Sequence, residues 1–163
     1  MVGYTRDIIL PEGDIIRVTL SEEQGIVSGA ARQLAGNVRL MGVELQRVSG
    51  NNMIGLNALR AVEEFIADVF SKGNDAMIMY YCDFLNPIPR TNKNTMPPQK
   101  YRSLLFENMF RRYTRTKRID DVCLSVVEVS GINETYFFHL IYRKFQSAEA
   151  LIIANDIKEG YSK

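Results

Sequence analysis

NALRAVEEFIADVFSKGNDAMIMYYC, residues 57–82, decides the fold. Leu59, Val62, Phe65, Ile66 and Val69 recur at helical spacing, whereas Arg60, Glu63, Glu64 and Asp68 fall on the opposite side, the pattern of a helix with one face on a core. Gly73 is placed to end that helix in a left-handed turn. Almost at once the chain becomes continuously apolar from Ala76 to Cys82, as expected of a strand covered on both sides. A one-faced helix feeding a doubly covered strand predicts a sheet with helices packed on its faces.

The flanking sequence extends this reading in both directions. Residues 7–10 and 14–20 are short apolar runs separated by Pro11-Glu12-Gly13, a composition suited to a hairpin turn. Ser21 and Gln24 have capping-box spacing, and Ile26, Val27, Ala30 and Leu34 follow at helical intervals, predicting a short helix before Gly36. Residues 37–48 read as a further strand. Four of the five prolines lie between Phe84 and Pro98, which predicts a long irregular loop after the central strand. A helix should follow from Pro97-Pro98 to about Tyr113, then a hairpin containing Val122 to Val127 and Tyr136 to Tyr142. Ser147 is placed to cap a last helix that stops near Gly160. The expected fold class is α+β, a single mixed β-sheet with helices on its faces, and residues 1–163 are read as one domain.

No apolar run approaches the roughly 20 residues that cross a bilayer, and Met1 to Asp7 lacks the basic and apolar pattern of a signal peptide. A cytoplasmic protein without a membrane partner is the expectation. Cys82 and Cys123 lie in apolar strand-like runs, with no CxxC or Cys/His spacing that would hold a metal, so free buried thiols are expected.

Charge is distributed unevenly behind a net of +1. Between Arg90 and Arg118 stand nine bases, Arg90, Lys93, Lys100, Arg102, Arg111, Arg112, Arg115, Lys117 and Arg118, against one acid, Glu107; this +8 segment belongs to a body of −7. Such a concentration attracts anions over a Debye length of about 8 Å. Arg111 to Arg118, interleaved with Tyr113 and two threonines, suits nucleic-acid phosphates or an acidic protein. The same bases also oppose the negative end of a helix dipole, which needs no ligand, although this accounts for two or three of them and not nine. A binding module using Arg90, Lys93, Lys100, Arg111, Arg112, Arg115, Lys117 and Arg118 is the leading functional reading, with no cofactor and no metal.

At about 100° per residue Arg102 falls among the apolar residues of its helix. An ion pair with Asp83, at the carboxyl end of the central strand, would explain its place there, either pinning the loop or forming part of a site; a snorkelling side chain is the plain alternative. His139 is the single histidine, so any Ser/His or Cys/His mechanism must use it, and nothing near it in sequence marks a partner.

Tyr80-Tyr81-Cys82-Asp83 followed by Arg102-x-x-x-Phe106-x-x-Met109-Phe110 resembles a family of small Bacteroidetes proteins of uncharacterised function, in which a strand ends in Cys-Asp and the next helix carries Arg and Phe. Met109 stands where that family usually has Trp. The resemblance supports the Asp83 and Arg102 pairing and implies no activity.

The order helix, strand, helix, two strands from Asn57 to Tyr142 is also similar to the C-terminal half of GNAT-type acyltransferases, a likeness that implies acetyl-CoA as cofactor. That family grips the pyrophosphate of acyl-CoA at a loop before a helix. The corresponding stretch here is Arg47-Val48-Ser49-Gly50-Asn51-Asn52, so Arg47, Gly50, Asn51 and Asn52 would be the cofactor-binding residues, with Asn52 departing from the family's small residue. Tyr80 or Tyr81 would then serve as general acid, although a tyrosine there is more often a core or rim residue whose ring is packing surface. Such an enzyme needs the Tyr80 to Cys82 strand to splay from its neighbour.

Overall fold

Six strands form one mixed sheet in the order β1-β2-β3-β4-β6-β5. The computed structural model describes residues 3–52, 55–82, 97–131 and 135–161. The chain runs β1 (Tyr4–Ile9), β2 (Ile15–Glu22), α1 (Gly29–Leu34), β3 (Arg39–Ser49), α2 (Leu56–Phe70), β4 (Ala76–Cys82), α3 (Pro98–Lys117), β5 (Val122–Ser130), β6 (Thr135–Arg143), a 3-10 turn (Lys144–Gln146) and α4 (Ser147–Tyr161). This is the expected α+β class.

The first hairpin closes through a turn at residues 10–14, with Leu10 N–H donating to the Asp14 carbonyl at 2.8 Å and Gly13 in the left-handed region at φ 91°. On β2, Ile16, Val18 and Leu20 point inward and are essentially buried, while Arg17 on the other face meets Asp7 of β1 at 2.8 Å. Alternation of this kind registers a strand against a one-sided core.

β4 lies inside the sheet, parallel to β3 on one side and antiparallel to β6 on the other. Its residues divide between two cores. Ala76 and Ile78 join Leu20, Met41, Val62, Phe65 and Val69 under α2, while Met77 and Met79 join Phe138, Leu140, Ile153 and Ile157 under α1 and α4. The continuous apolar run in the sequence therefore reflects burial on both faces, with Ala76, Met77 and Ile78 all at 0% exposure. α3 lies on the α2 side, where Phe106, Met109 and Phe110 face Ile78 and Ile141.

The structure corrects the first helix. Ser21 and Glu22 do not cap it; they extend β2, paired with Gly42 and Met41 of β3. The Glu23 carboxylate accepts the Ile26 N–H at 2.9 Å, and Ser28 is the N-cap, accepting from Ala31 N–H at 3.2 Å. A sheet ladder supplied the stronger set of backbone partners, so the capping pattern at Ser21 went unused. Ser28 also donates to Asp156 of α4 at 2.5 Å, tying the short helix to the C-terminal one. α3 runs four residues past the expected Tyr113, and Ser147 is the first residue of α4 and not a cap, donating to the Lys144 carbonyl at 2.6 Å.

Candidate functional site

α3 carries the basic surface. Pro98 at its first position fits a helix start, where the missing N–H would be unsatisfied anyway, and Arg118 ends it in the left-handed region at φ 55°. The helix continues through Thr114, whose hydroxyl donates to the Phe110 carbonyl at 3.0 Å, and this turns the segment from Arg111 to Lys117 into helix surface instead of tail. Lys100, Arg111, Arg112, Arg115, Lys117 and Arg118 are all exposed.

These cations form two sets. At about 100° per residue Lys100, Arg111 and Arg115 share one outward stripe, continued by Arg118 at the helix end, whereas Arg112 and Lys117 turn toward α2. Arg111 pairs with Glu107 four residues earlier, an exposed i,i+4 contact worth a few tenths of a kcal/mol, on the order of 0.3–0.5. Among the described residues no carboxylate lies within ion-pair distance of Lys100, Arg112, Arg115, Lys117 or Arg118. The Lys117 ammonium sits 6.0 Å from the Tyr113 ring centroid. Arg90 and Lys93 lie outside the described residues, as does most of the proline-rich segment.

On the inner side of α3, Arg102 is buried at 4% exposure, in agreement with its angular position; Asp83, its expected partner, lies outside the described residues. Next to it is Ser103, whose hydroxyl is 2.8 Å from Nε2 of His139. This is the histidine's partner that the sequence did not reveal. Ser103 lies in line with Phe106 and Phe110 at i+3 and i+7, so helical periodicity alone places it inward. Burial pushes the His139 pKa down to about 4, leaving a neutral ring at pH 7. Serine and neutral imidazole in contact are the elements of a nucleophile and its base, but both are no more than 3% exposed. In this structure the contact satisfies two buried polar groups.

Tyr80 packs its ring 4.4 Å from Phe106, and Tyr81 stacks on Tyr136 and meets Phe138 in a tilted contact on the other face. Cys123 is a free, half-buried thiol on β5; the Cys82 side chain is outside the described residues. Among the described residues no three His, Cys, Asp or Glu side chains gather as metal ligands. No described helix is long and apolar enough to cross a membrane.

The ladder between β3 and β4 stops partway along both strands. β3 and β4 pair only from Arg39↔Ala76 to Gly42↔Met79. Beyond that point β3 stays with β2 as far as Ser49 and β4 stays with β6 as far as Cys82, so the two parallel strands continue without pairing to each other. Crevices at the carboxyl ends of parallel strands are where open sheets hold ligands. The loop leaving β3 toward α2 is filled from within, however. The Asp14 carboxylate, at 7% exposure, accepts the Asn52 N–H at 2.8 Å, the Asn52 side-chain amide at 3.2 Å and Arg47 at 3.1 Å. Arg47 also donates to the Asn52 carbonyl. Gly50, at φ 83°, passes so close that a Cβ would lie 2.0 Å from the Asp14 carboxyl carbon. Arg47, Gly50 and Asn52 thus enclose a carboxylate, and exposed Asn51 lies beside them. Asp14 is a residue that sequence reasoning missed, because it lies 33 positions from Arg47.

No protein-family model matches the chain, and no curated protein or solved structure matches it. The two resemblances therefore rest on short motifs and topology alone.

Proposed function

We propose that this protein is a binding module, cytoplasmic in location, that engages nucleic-acid phosphates through the outward stripe Lys100, Arg111, Arg115 and Arg118, with Arg112 and Lys117 adding to the field. One observation carries the reading: among the described residues, Arg111 alone of the exposed cations in the last two turns of α3 has a carboxylate within ion-pair distance, Glu107. Dipole compensation calls for charge in the last turn, where Arg115 and Lys117 already supply it. The test is fluorescence anisotropy with a single-stranded RNA and a short DNA duplex at several salt concentrations. Binding should weaken steeply with salt, and Arg115→Gln/Arg118→Gln should reduce the duplex log–log slope by about 2, since each phosphate contact contributes about 0.9. Salt-independent or absent binding to both nucleic acids refutes this partner and leaves an acidic protein as the anion to seek.

The early end of the β3–β4 ladder supports a second reading, an acyl-CoA-dependent acyltransferase related to the GNAT type. Its support is the parting of β3 and β4 after Gly42 and Met79, beside the N-terminus of α2. Against it stands Asp14, a like charge where the pyrophosphate would sit. In this reading acetyl-CoA raises the Tm of the protein, and raises that of Asp14→Asn further; no shift in either protein ends it.

A further inference from the structure

We propose that the groove between α2 and α3 is a binding site for a small amphipathic carboxylate, a molecule with an apolar body and one anionic head. The groove has a volume of about 330 Å³, within the range of small-ligand pockets. Both helices rest on the same face of the sheet, yet their opposed flanks leave this space between them. Leu56, Leu105 and Met109 supply apolar wall, and Leu56 is 54% exposed at its mouth. Uncovered apolar surface beside fixed polar groups is the usual make-up of a ligand site. Beneath Met109 and Glu63 lies a smaller cavity of about 50 Å³, walled mainly by Ile66, Ile78, Phe110 and Ile141, with Tyr80 and His139 at its sheet side.

Charge selects the head group. Arg60 on α2 and Arg112 and Lys117 on α3 border the groove, and among the described residues none has a carboxylate within ion-pair distance. Glu63 and Glu64 are the acids on the rim. Glu63 has its pKa raised to about 7, by burial first and by the charge of Glu64 second, with Arg112 and Arg60 opposing. The lining itself sets three cations, Arg60, Arg112 and Lys117, against two acids, and partial protonation of Glu63 near neutrality widens that excess. An incoming carboxylate would take the arginine donors in the paired geometry guanidinium groups favour. The groove shares Arg112 and Lys117 with the field of the nucleic-acid reading, but it also uses Arg60, Met109 and Leu56, none of which that reading requires.

The test uses octanoate as probe, with 1-octanol and octylamine as controls, read through the Met109 methyl resonance and Tyr113 ring shifts of the full chain. Octanoate should produce saturable shifts, and octylamine should bind at least about ten-fold more weakly. Arg60→Gln and Arg112→Gln should each lower octanoate affinity about ten-fold, the scale of one charge-assisted hydrogen bond. Met109→Trp should abolish binding by filling the groove. Because that variant could also disturb packing, Leu56→Glu, a change at an exposed position, provides an independent check and should weaken octanoate while leaving Tm unchanged. Absence of saturable shifts at Met109 overturns the site; equal shifts with all three probes overturn the carboxylate specificity.

Discussion

Asp14 and Gly50 should behave as one unit, and a double-mutant cycle exposes it. Asp14→Ala removes an almost fully buried carboxylate with three hydrogen bonds, one of them from Arg47. Arg47 is one-third exposed and regains water, so the loss is that of the charge-assisted bonds, about 3 kcal/mol. Gly50→Ala carries two terms. Left-handed backbone at φ 83° costs an L-residue about 1 kcal/mol, and the new Cβ, 2.0 Å from the carboxyl carbon, drives Asp14 out of its place at about 3 kcal/mol more. Once Asp14 is already Ala, only the backbone term remains. The double variant should therefore lose about 4 kcal/mol where additivity demands about 7, a coupling at the upper end of what neighbouring residues show. Urea unfolding followed by circular dichroism measures each corner, with midpoints shifting at constant slope. In a chain of this length Asp14→Ala should lower Tm by about 6–12 °C. Additivity within about 0.5 kcal/mol would refute the reasoning, because it would mean that the glycine makes no room for the carboxylate.

Buried His139 and half-buried Glu63 should give stability a pH dependence of opposite signs. His139 has a folded pKa of about 4, below its unfolded value, so its contribution is complete above about 6.5 and is lost as pH falls toward 4; His139→Gln should flatten that arm. Glu63, raised to about 7, contributes stability that is present below its unfolded pKa near 4.5 and lost as pH climbs through 7, and Glu63→Gln should remove that decline. Thermal melts of both variants from pH 4 to 8 check the signs, and an unchanged profile in either one contradicts its assignment. Ser103→Ala leaves the neutral imidazole without its hydroxyl partner and should cost about 1–3 kcal/mol by urea unfolding. Ser28→Ala loses a helix cap and the hydroxyl bond to Asp156, while the Ser28 N–H bond to the same carboxylate stays, so a cost of about 1–2 kcal/mol is expected and a change below about 0.3 kcal/mol would show that α1 does not depend on the hydroxyl.

The elements that were legible in the sequence are those whose signal is local and periodic. From Leu59 to Val69 the apolar stripe marks α2, and the Ala76 to Cys82 run marks a strand covered on both faces; both stand in the structure within a residue or two. The start of α1 was misplaced because Ser21 and Gln24 carry a valid cap pattern, yet β3 offered the same backbone a ladder. No rule confined to neighbours in sequence can arbitrate between the two. The end of α3 reads early in the sequence because its apolar cluster stops at Tyr113, whereas the helix continues to Lys117, with the Thr114 hydroxyl donating to the Phe110 carbonyl.

By itself the sequence determined the α+β class, the elements on each side of the central strand, the inward position of Arg102 and the concentration of charge between Arg90 and Arg118. Periodicity and composition are properties of short windows, and those features need nothing longer. Only the tertiary structure decided that Ser103 meets His139, that Asp14 fills the loop of Arg47 and Asn52, that β3 and β4 part after Gly42, and that Arg60 faces Arg112 across a groove. Each of these joins residues that are distant in sequence, and such pairs are brought together by the packing of whole helices and strands on the sheet, where burial of the two cores outweighs any local preference.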